Sequence, residues 1–490
     1  MKTIVKLISL SLVMLCAFNI GHSQSYADVA LMYSRTNPGG SARIQGLGGA
    51  QISLGGDPSQ AVANPAGIGM ANRSSISFTA GIESLFTNTS YYGENTTESR
   101  SVFNIPQLGM IFQKKGKDSG YLGGAFAINF NRINTYHNGF TLEGRPDDSI
   151  VDYFLSSADG RPLSSFDKGG SEYNSLLGLS WFTFILDTID GYYDSYILDL
   201  PESQREETDV RGSHYQWSFA YGGNYEDKLF FGVGMGLTNL RYRSVKRFKE
   251  YFPPYEINSI DFNENLNIDG TGINVNLGLL VRPIDIVQFG LSYVSPTFYN
   301  INDEYDAFMA ANWNDFAHPV SGEILGEITE ETEILISDYS LTAPAKLGIG
   351  GTVFFGKMGF LTADIETVNY SRNRLNSRDF SMSDENDFIS SSYQKAVNVR
   401  VGGELRYKIF RVRAGGAFYG DPYAIEGFNS NILSTSVGAG IRARDFYTDF
   451  AFVNSTTNME YYPYYIDELS VPANIRSSRM KGMLTLGFNF

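Results

Sequence analysis

The sequence predicts an all-β fold, a transmembrane antiparallel β-barrel of about fourteen strands with an N-terminal plug, or hatch, in its lumen. Three observations predict it. Segments of barrel-strand length alternate apolar and polar residues along most of the chain. The connections between them alternate short and long. Beyond the first residues, no apolar run reaches the ~20 residues that a membrane helix needs.

The first element reads as a signal peptide, 1–23. Lys2 and Lys6 precede an apolar run from Ile8 to Phe18, and Gly21-His22-Ser23 supplies small cleavage-site residues before Gln24. The only cysteine, Cys16, lies inside this segment, and Leu15 stands where a lipoprotein signal wants a small residue. The mature chain therefore lacks the thiols needed for a disulfide or a thiolate metal site.

Residues 24–73 come next and read as the plug. They are rich in glycine and show neither strand alternation nor a long helical period. Leu47, Ile52, Leu54, Ala61, Val62 and Ile68 make the segment too apolar for a solvated linker.

The barrel is expected over 74–490. In its first strand Ile76, Phe78, Ala80 and Ile82 alternate with Ser75, Ser77, Thr79 and Glu83. Further strands are read at 100–113, 119–133, 213–225, 228–244, 270–282, 285–299, 344–355, 359–371, 396–408, 409–419, 433–444, 445–456 and 478–490. The even number suits a bacterial barrel with short periplasmic turns and long extracellular loops. The long loops are read at 87–99, 134–212, 245–269, 300–343, 372–395, 420–432 and 457–477. The terminal Phe490 resembles the insertion signature of outer-membrane barrels and implies the barrel-assembly machinery as a partner. The cell outer membrane is the expected location.

Charge narrows the function. Lys+Arg 38 against Asp+Glu 53 gives a net charge of −15, which argues against nucleic acid as a partner. His137, His214 and His318 lie in no metal-ligand spacing, and no G-x-S-x-G context accompanies them. No enzyme activity, metal or cofactor is expected.

The loop 134–212 carries Leu176, Leu179, Trp181, Phe182 and Phe184, too apolar for an exposed loop. They read either as a helix capping the barrel or as part of a ligand-binding groove. Arg400, Arg406, Arg413 and Arg442 share strands or neighbouring strands with Asp364, Glu366, Glu404 and Asp449. These are structural ion pairs, or Arg400 and Arg406 dock a ligand carboxylate. The acidic run Glu323, Glu327, Glu330, Glu331 and Glu333 reads as a solvated face, with a calcium bridge to lipopolysaccharide as the alternative.

The plug sequence Gly46-Leu47-Gly48-Gly49-Ala50, Gly55-Gly56-Asp57-Pro58 and Asn64-Pro65-Ala66-Gly67 resembles the hatch of FadL-type long-chain fatty-acid and hydrophobic-compound transporters, particularly a Bacteroidetes-like branch. Gly290-Leu291-Ser292-Tyr293-Val294-Ser295-Pro296, Thr342-Ala343-Pro344, Ala363-Asp364-Ile365-Glu366 and Gly487-Phe488-Asn489-Phe490 extend the resemblance over the mature chain. It implies a fourteen-stranded barrel, a hatch and sideways exit near a kinked third strand. Asn64, Pro65, Ala66 and Gly67 are then plug or gate residues. Gly123 and Gly124 mark the expected interruption of the third strand. The expected function is passive uptake of a hydrophobic small molecule, with outer-membrane lipid and lipopolysaccharide as surroundings. A plugged adaptor for protein secretion or surface attachment is the alternative. Fatty acid, aromatic hydrocarbon and haem remain open as cargo, and no axial-ligand arrangement for haem is evident.

Overall fold

The computed structural model describes residues 26–37, 39–116, 120–424, 430–466 and 470–490. The expected signal peptide lies outside the described residues. The wall is a closed antiparallel barrel of 14 strands. These are β1 (Ser75–Tyr91), β2 (Glu94–Lys115), β3 (Tyr121–Thr135), β4 (Ser203–Tyr225), β5 (Leu229–Tyr251) and β6 (Ile257–Ile284). They continue as β7 (Val287–Val294 and Thr297–Ala317), β8 (Leu335–Ala343 and Lys346–Phe354) and β9 (Gly359–Asn369 and Arg374–Ser377). The last are β10 (Lys395–Tyr407), β11 (Phe410–Tyr419), β12 (Ile432–Arg442), β13 (Phe446–Tyr461) and β14 (Ala473–Asn489). β1 closes the ring on β14, from Ser75↔Asn489 to Ser90↔Asn474.

Alternation fixes which side of each strand faces lipid. In β1, Ser75, Ser77, Thr79 and Glu83 are buried toward the lumen, whereas Phe78, Ile82 and Phe86 point outward and are exposed. β5 repeats the outward apolar row with Leu229, Phe231, Val233, Met235 and Leu237. The breaks in β7 and β8 sit at one level, between Thr297↔Ala343 and Val294↔Lys346. Pro296 and Pro344 fall in these breaks and have no N–H to give the ladder.

The expected loops are shorter than the sequence suggested, because strands run on beyond the apolar belt. Residues 245–269 form a paired β5–β6 hairpin extending to Tyr251↔Ser259. Residues 300–343 are mostly strand, and Ile324–Glu331 adds a further strand against β7. The span 134–212 opens with Asn138–Gly144, which pairs with the first residues of β4, from Asn138↔Val210 to Gly144↔Gln204. Beyond the belt the outward face meets water, so polar residues replace the apolar member of the alternation. Asn263, Asn265 and Asn267 of β6 are examples.

Residues inside the wall form α1 (Tyr26–Ser34), α2 (Ala42–Gln45), α3 (Gln60–Ala63) and a 3-10 turn at Pro65–Met70. Over the long-loop end lie α4 (Ile150–Ala158) and α5 (Leu176–Phe182), with α6 (Ser383–Ser392) between β9 and β10. α4 begins with a capping box between Ser149 and Asp152. The cap core joins Phe154, Leu179 and Ile185 to Phe248, Phe262, Met309 and Trp313 on the strand extensions.

Candidate functional site

The lower plug is fixed to the wall through polar contacts. Asp364 Oδ2 accepts the backbone N–H groups of Gln51 at 2.6 Å and Ile52 at 2.8 Å. Asn64 Oδ1 accepts from Ala66 N at 3.1 Å, and its Nδ2 donates to Ile52 O at 2.7 Å. The same amide reaches Leu279 O and Leu291 O on β6 and β7 at 3.4 and 3.3 Å. Asn276 Nδ2 donates to Val62 O at 3.0 Å, and Gly48 N donates to Ser436 Oγ at 3.0 Å. Buried backbone groups need such partners, and here the wall supplies them.

Close approach is possible because the wall lacks side chains where the plug touches it. A Cβ at Gly232 would overlap Pro65, one at Gly278 the Asn64 amide and one at Gly290 the Ile52 carbonyl. Gly402 and Gly415 receive Leu47 and Gly48 in the same way. These lumen-facing glycines recur on neighbouring strands and could have been read from the sequence as the plug's seat.

α1 is held differently. Its residues Ala27, Val29, Ala30, Leu31 and Tyr33 are buried in the upper lumen. They pack against Leu240, Ile268 and Ile301 and the rings of Tyr136, Tyr242, Tyr299, Tyr339, Tyr370 and Tyr393. Among the described residues, Tyr26 OH donates to Ser337 Oγ at 3.0 Å and Tyr393 OH to Asp28 Oδ1 at 3.2 Å. Asn373 Nδ2 donates to Ser34 Oγ at 3.1 Å.

Beneath α1 lies a cavity of about 340 Å³, bounded by Met32, Gly40 and Gln45 of the plug and by Pro106, Ile133 and Met483 of the wall. It adjoins a break in that wall. β2 and β3 pair only from Lys115↔Gly123 to Gln107↔Asn131. Farther up, β2 pairs with β1, β3 pairs with β4, and no β2–β3 pair occurs among the described residues. The free edge of β3 is met by the plug: Asn37 N donates to Ile133 O at 2.9 Å, and Asn134 Nδ2 donates to Arg35 O at 3.2 Å. Phe103 and Ile105 form an exposed apolar lip on β2. Above the break, Arg100 pairs with Asp209, and Glu98 accepts from Thr141.

The cavity carries a cationic cluster. Glu83 faces Arg479 at 3.3 Å and Lys481 at 3.5 Å. Arg132 joins the lining, with Nη2 donating to Thr135 Oγ1 at 3.1 Å and its guanidinium 5.5 Å from the Tyr215 ring centroid. Arg132 lies far in sequence from Arg479 and Lys481, so only closure of β14 on β1 and the end of the β2–β3 pairing bring it beside them.

The expected site residues fall in several places. Asn64, Pro65, Ala66 and Gly67 are buried at the plug–wall seam. Gly123 and Gly124 are not at the interruption: they pair with Lys115 and Lys114 at the short-turn end. Gly123 has φ +128° and sits at a register shift against β4, which bends β3 out of its turn without opening the ladder. Arg400 and Arg406 do not form one dock. Arg400 is buried 2.8 Å from Glu366, while Arg406 lies 2.7 Å from Glu404 toward the short-turn end. Their six-residue separation corresponds to about 20 Å along a strand. Glu404 also holds Arg413 at 2.7 Å, and Arg413 bridges to Asp449 at 2.7 Å.

Leu176 and Leu179 are packing residues of the cap, whereas Trp181, Phe182 and Phe184 are only partly buried. Trp181 stacks on Phe166 at 5.0 Å, and Trp313 Nε1 donates to Thr183 O at 3.0 Å. His214 lies among Tyr136 and Tyr299, whose hydroxyls stand 3.5 and 3.4 Å from its ring nitrogens. His318 contacts Asp187 at 2.7 Å.

No protein-family model and no curated protein matches the sequence. Solved structures do match. A Pseudomonas aeruginosa FadL homologue is 12% identical, with a TM-score of 0.55 over 93% of this chain and 99% of that one. The P. putida toluene transporter TodX is 13% identical, with a TM-score of 0.52 over 92% and 99%. The Ralstonia pickettii toluene transporter TbuX is 14% identical, with a TM-score of 0.51 over 92% and 99%. The chain therefore shares its fold with these transporters over nearly its whole length.

Proposed function

We propose that this protein is a passive outer-membrane importer of hydrophobic small molecules, with long-chain fatty acids as its leading substrate class. The observation that carries this reading is the cavity beside the β2–β3 break, with α1 above it and the anchored plug below. A ligand enters beneath the cap, displaces α1, occupies the cavity and leaves sideways past Phe103 and Ile105. Burying an aliphatic side chain stabilises by about 2 kcal/mol, so the burial of an alkyl chain offsets much of the cost of displacing α1. Arg132, Arg479 and Lys481, balanced locally by Glu83, suit an acidic head group. The cavity beside a wall break favours transport over the adaptor reading.

The fatty-acid substrate and the gated plug rest on the cavity and its cations, with the named transporters as support for the broader class. Labelled palmitate and labelled toluene distinguish these parts in cells with and without the protein. Expression should raise entry of both. Arg132→Gln, which removes a cation without stripping a salt-bridged carboxylate of its partner, should weaken palmitate binding by about tenfold while leaving toluene entry intact. No gain for either compound on expression contradicts the transport reading. Equal palmitate binding by Arg132→Gln and the parent contradicts the acidic-head-group assignment.

A further inference from the structure

The outward face of β5 changes chemistry just beyond the lipid belt. Leu237 ends the unbroken exposed apolar run of its row, and Trp217 and Ile273 flank it on β4 and β6. Along the same face follow Asn239, Arg241, Arg243, Val245, Arg247 and Lys249. Most of these cations have an acidic neighbour. Arg241 contacts Asp269 at 2.8 Å, Arg247 contacts Glu207 at 3.7 Å and Lys249 contacts Asp261 at 2.9 Å.

Arg243 differs. It is exposed, and its guanidinium has no hydrogen bond or ion pair to another described residue. Its direct cross-strand partner on β4 is another arginine, Arg211. Like charges placed directly opposite destabilise a sheet pair. Arg211 turns to Asp209 at 3.0 Å, but that carboxylate also holds Arg100. On the other side Arg243 faces neutral Asn267, with Arg241 one outward position nearer the belt. The fold thus leaves guanidinium donors clustered at the membrane rim of a chain whose net charge is −15.

We infer that Arg211, Arg241 and Arg243 form a seat for the phosphorylated head group of lipid A in the outer leaflet. Two features select this occupant. Its acyl chains extend the apolar surface below the seat, and its phosphate oxygens accept the forked donors of arginine. One bridging phosphate removes the repulsion between Arg211 and Arg243. Position on the wall's outer face separates this seat from the lumen cavity. The assignment rests on the outer-membrane reading but not on transport.

The intact protein in detergent is titrated with bis-phosphorylated lipid A and with dephosphorylated lipid A bearing the same acyl chains, and bound lipid is counted by native mass spectrometry. The parent should prefer the phosphorylated form by about tenfold, and Arg211→Gln with Arg243→Gln should bring the two forms to within about twofold. Arg243→Gln alone relieves the like-charge contact, supplies the readout if the double variant does not assemble, and should also reduce the preference. Palmitate entry should remain unchanged, separating loss of this seat from failure of the transport reading. A parent with no preference for phosphate, or variants that keep the parent's preference, would overturn the assignment.

Discussion

Asp364 concentrates the plug's attachment in one side chain. It is buried on β9, and one carboxylate oxygen receives two consecutive plug amides. Removing it leaves both N–H groups without that acceptor inside the lumen. Hydrogen bonds to charged groups contribute about 1.5–3 kcal/mol each, so Asp364→Ala should loosen the plug substantially. The wall ladder on either side of β9 does not depend on this side chain. The variant should therefore remain an assembled, heat-modifiable barrel but show higher ion conductance in planar bilayers. Unchanged conductance in an assembled variant would contradict the anchoring role. The sequence placed Asp364 among lumen charges but not its partners. Gln51 and Ile52 reach it only when the plug has folded back into the barrel, a contact more than 300 residues away along the chain. Arg132 was harder to anticipate, because its place beside the cavity depends on where the β2–β3 ladder stops.

At the scale of elements, the cap offers a pH test. Glu250, on the extension of β5, accepts from Ser149 Oγ at 2.7 Å, Ile150 N at 3.1 Å and Gln204 Nε2 at 2.8 Å. Tyr464 OH stands 3.4 Å away and also contacts Asp148. Burial pushes the Glu250 carboxyl up from 4.5 to about 7; the Ser149, Gln204 and Ile150 donors oppose the shift, and Asp148 adds to it. Because its folded value is raised, its contribution to cap stability is complete below about pH 4.5 and is lost as pH rises through about 7. Hydrogen exchange of α4, corrected for intrinsic rates, should show less protection at pH 8 than at pH 5. Glu250→Gln should flatten that difference, whereas an unchanged pH dependence in the variant would exclude Glu250 as its source. The same region shows where alternation loses its information. Within the belt, lipid demands an apolar outward row, and positions such as Phe78 and Ile82 are legible. Farther out, Asn263, Asn265 and Asn267 remain in strand although nothing in their polarity distinguishes strand from loop.

For the whole molecule, the alternating segments predicted a barrel, and the wall closes with fourteen strands. The glycine-rich N-terminal segment was legible as a plug, but its division was not: α1 packs mainly through apolar contacts, while the segment below is fixed by directed hydrogen bonds. The wall break was placed at Gly123 and Gly124 because glycine weakens a strand. The observed ladder instead ends above Gln107↔Asn131, close to Pro106 and the plug contacts of Ile133 and Asn134.

The central claim is that α1 must leave the upper lumen for cargo to pass. Ser34 and Asn373 have side-chain atoms 3.1 Å apart, and the mature chain expected after residue 23 contains no cysteine. Ser34→Cys with Asn373→Cys can therefore be bridged by a short reducible bis-thiosulfonate linker and reconstituted into liposomes. Entry of labelled palmitate should fall to the protein-free rate while the linker is intact and return to the unbridged rate on reduction. Equal entry with the linker intact and cleaved would contradict passage through the space that α1 occupies.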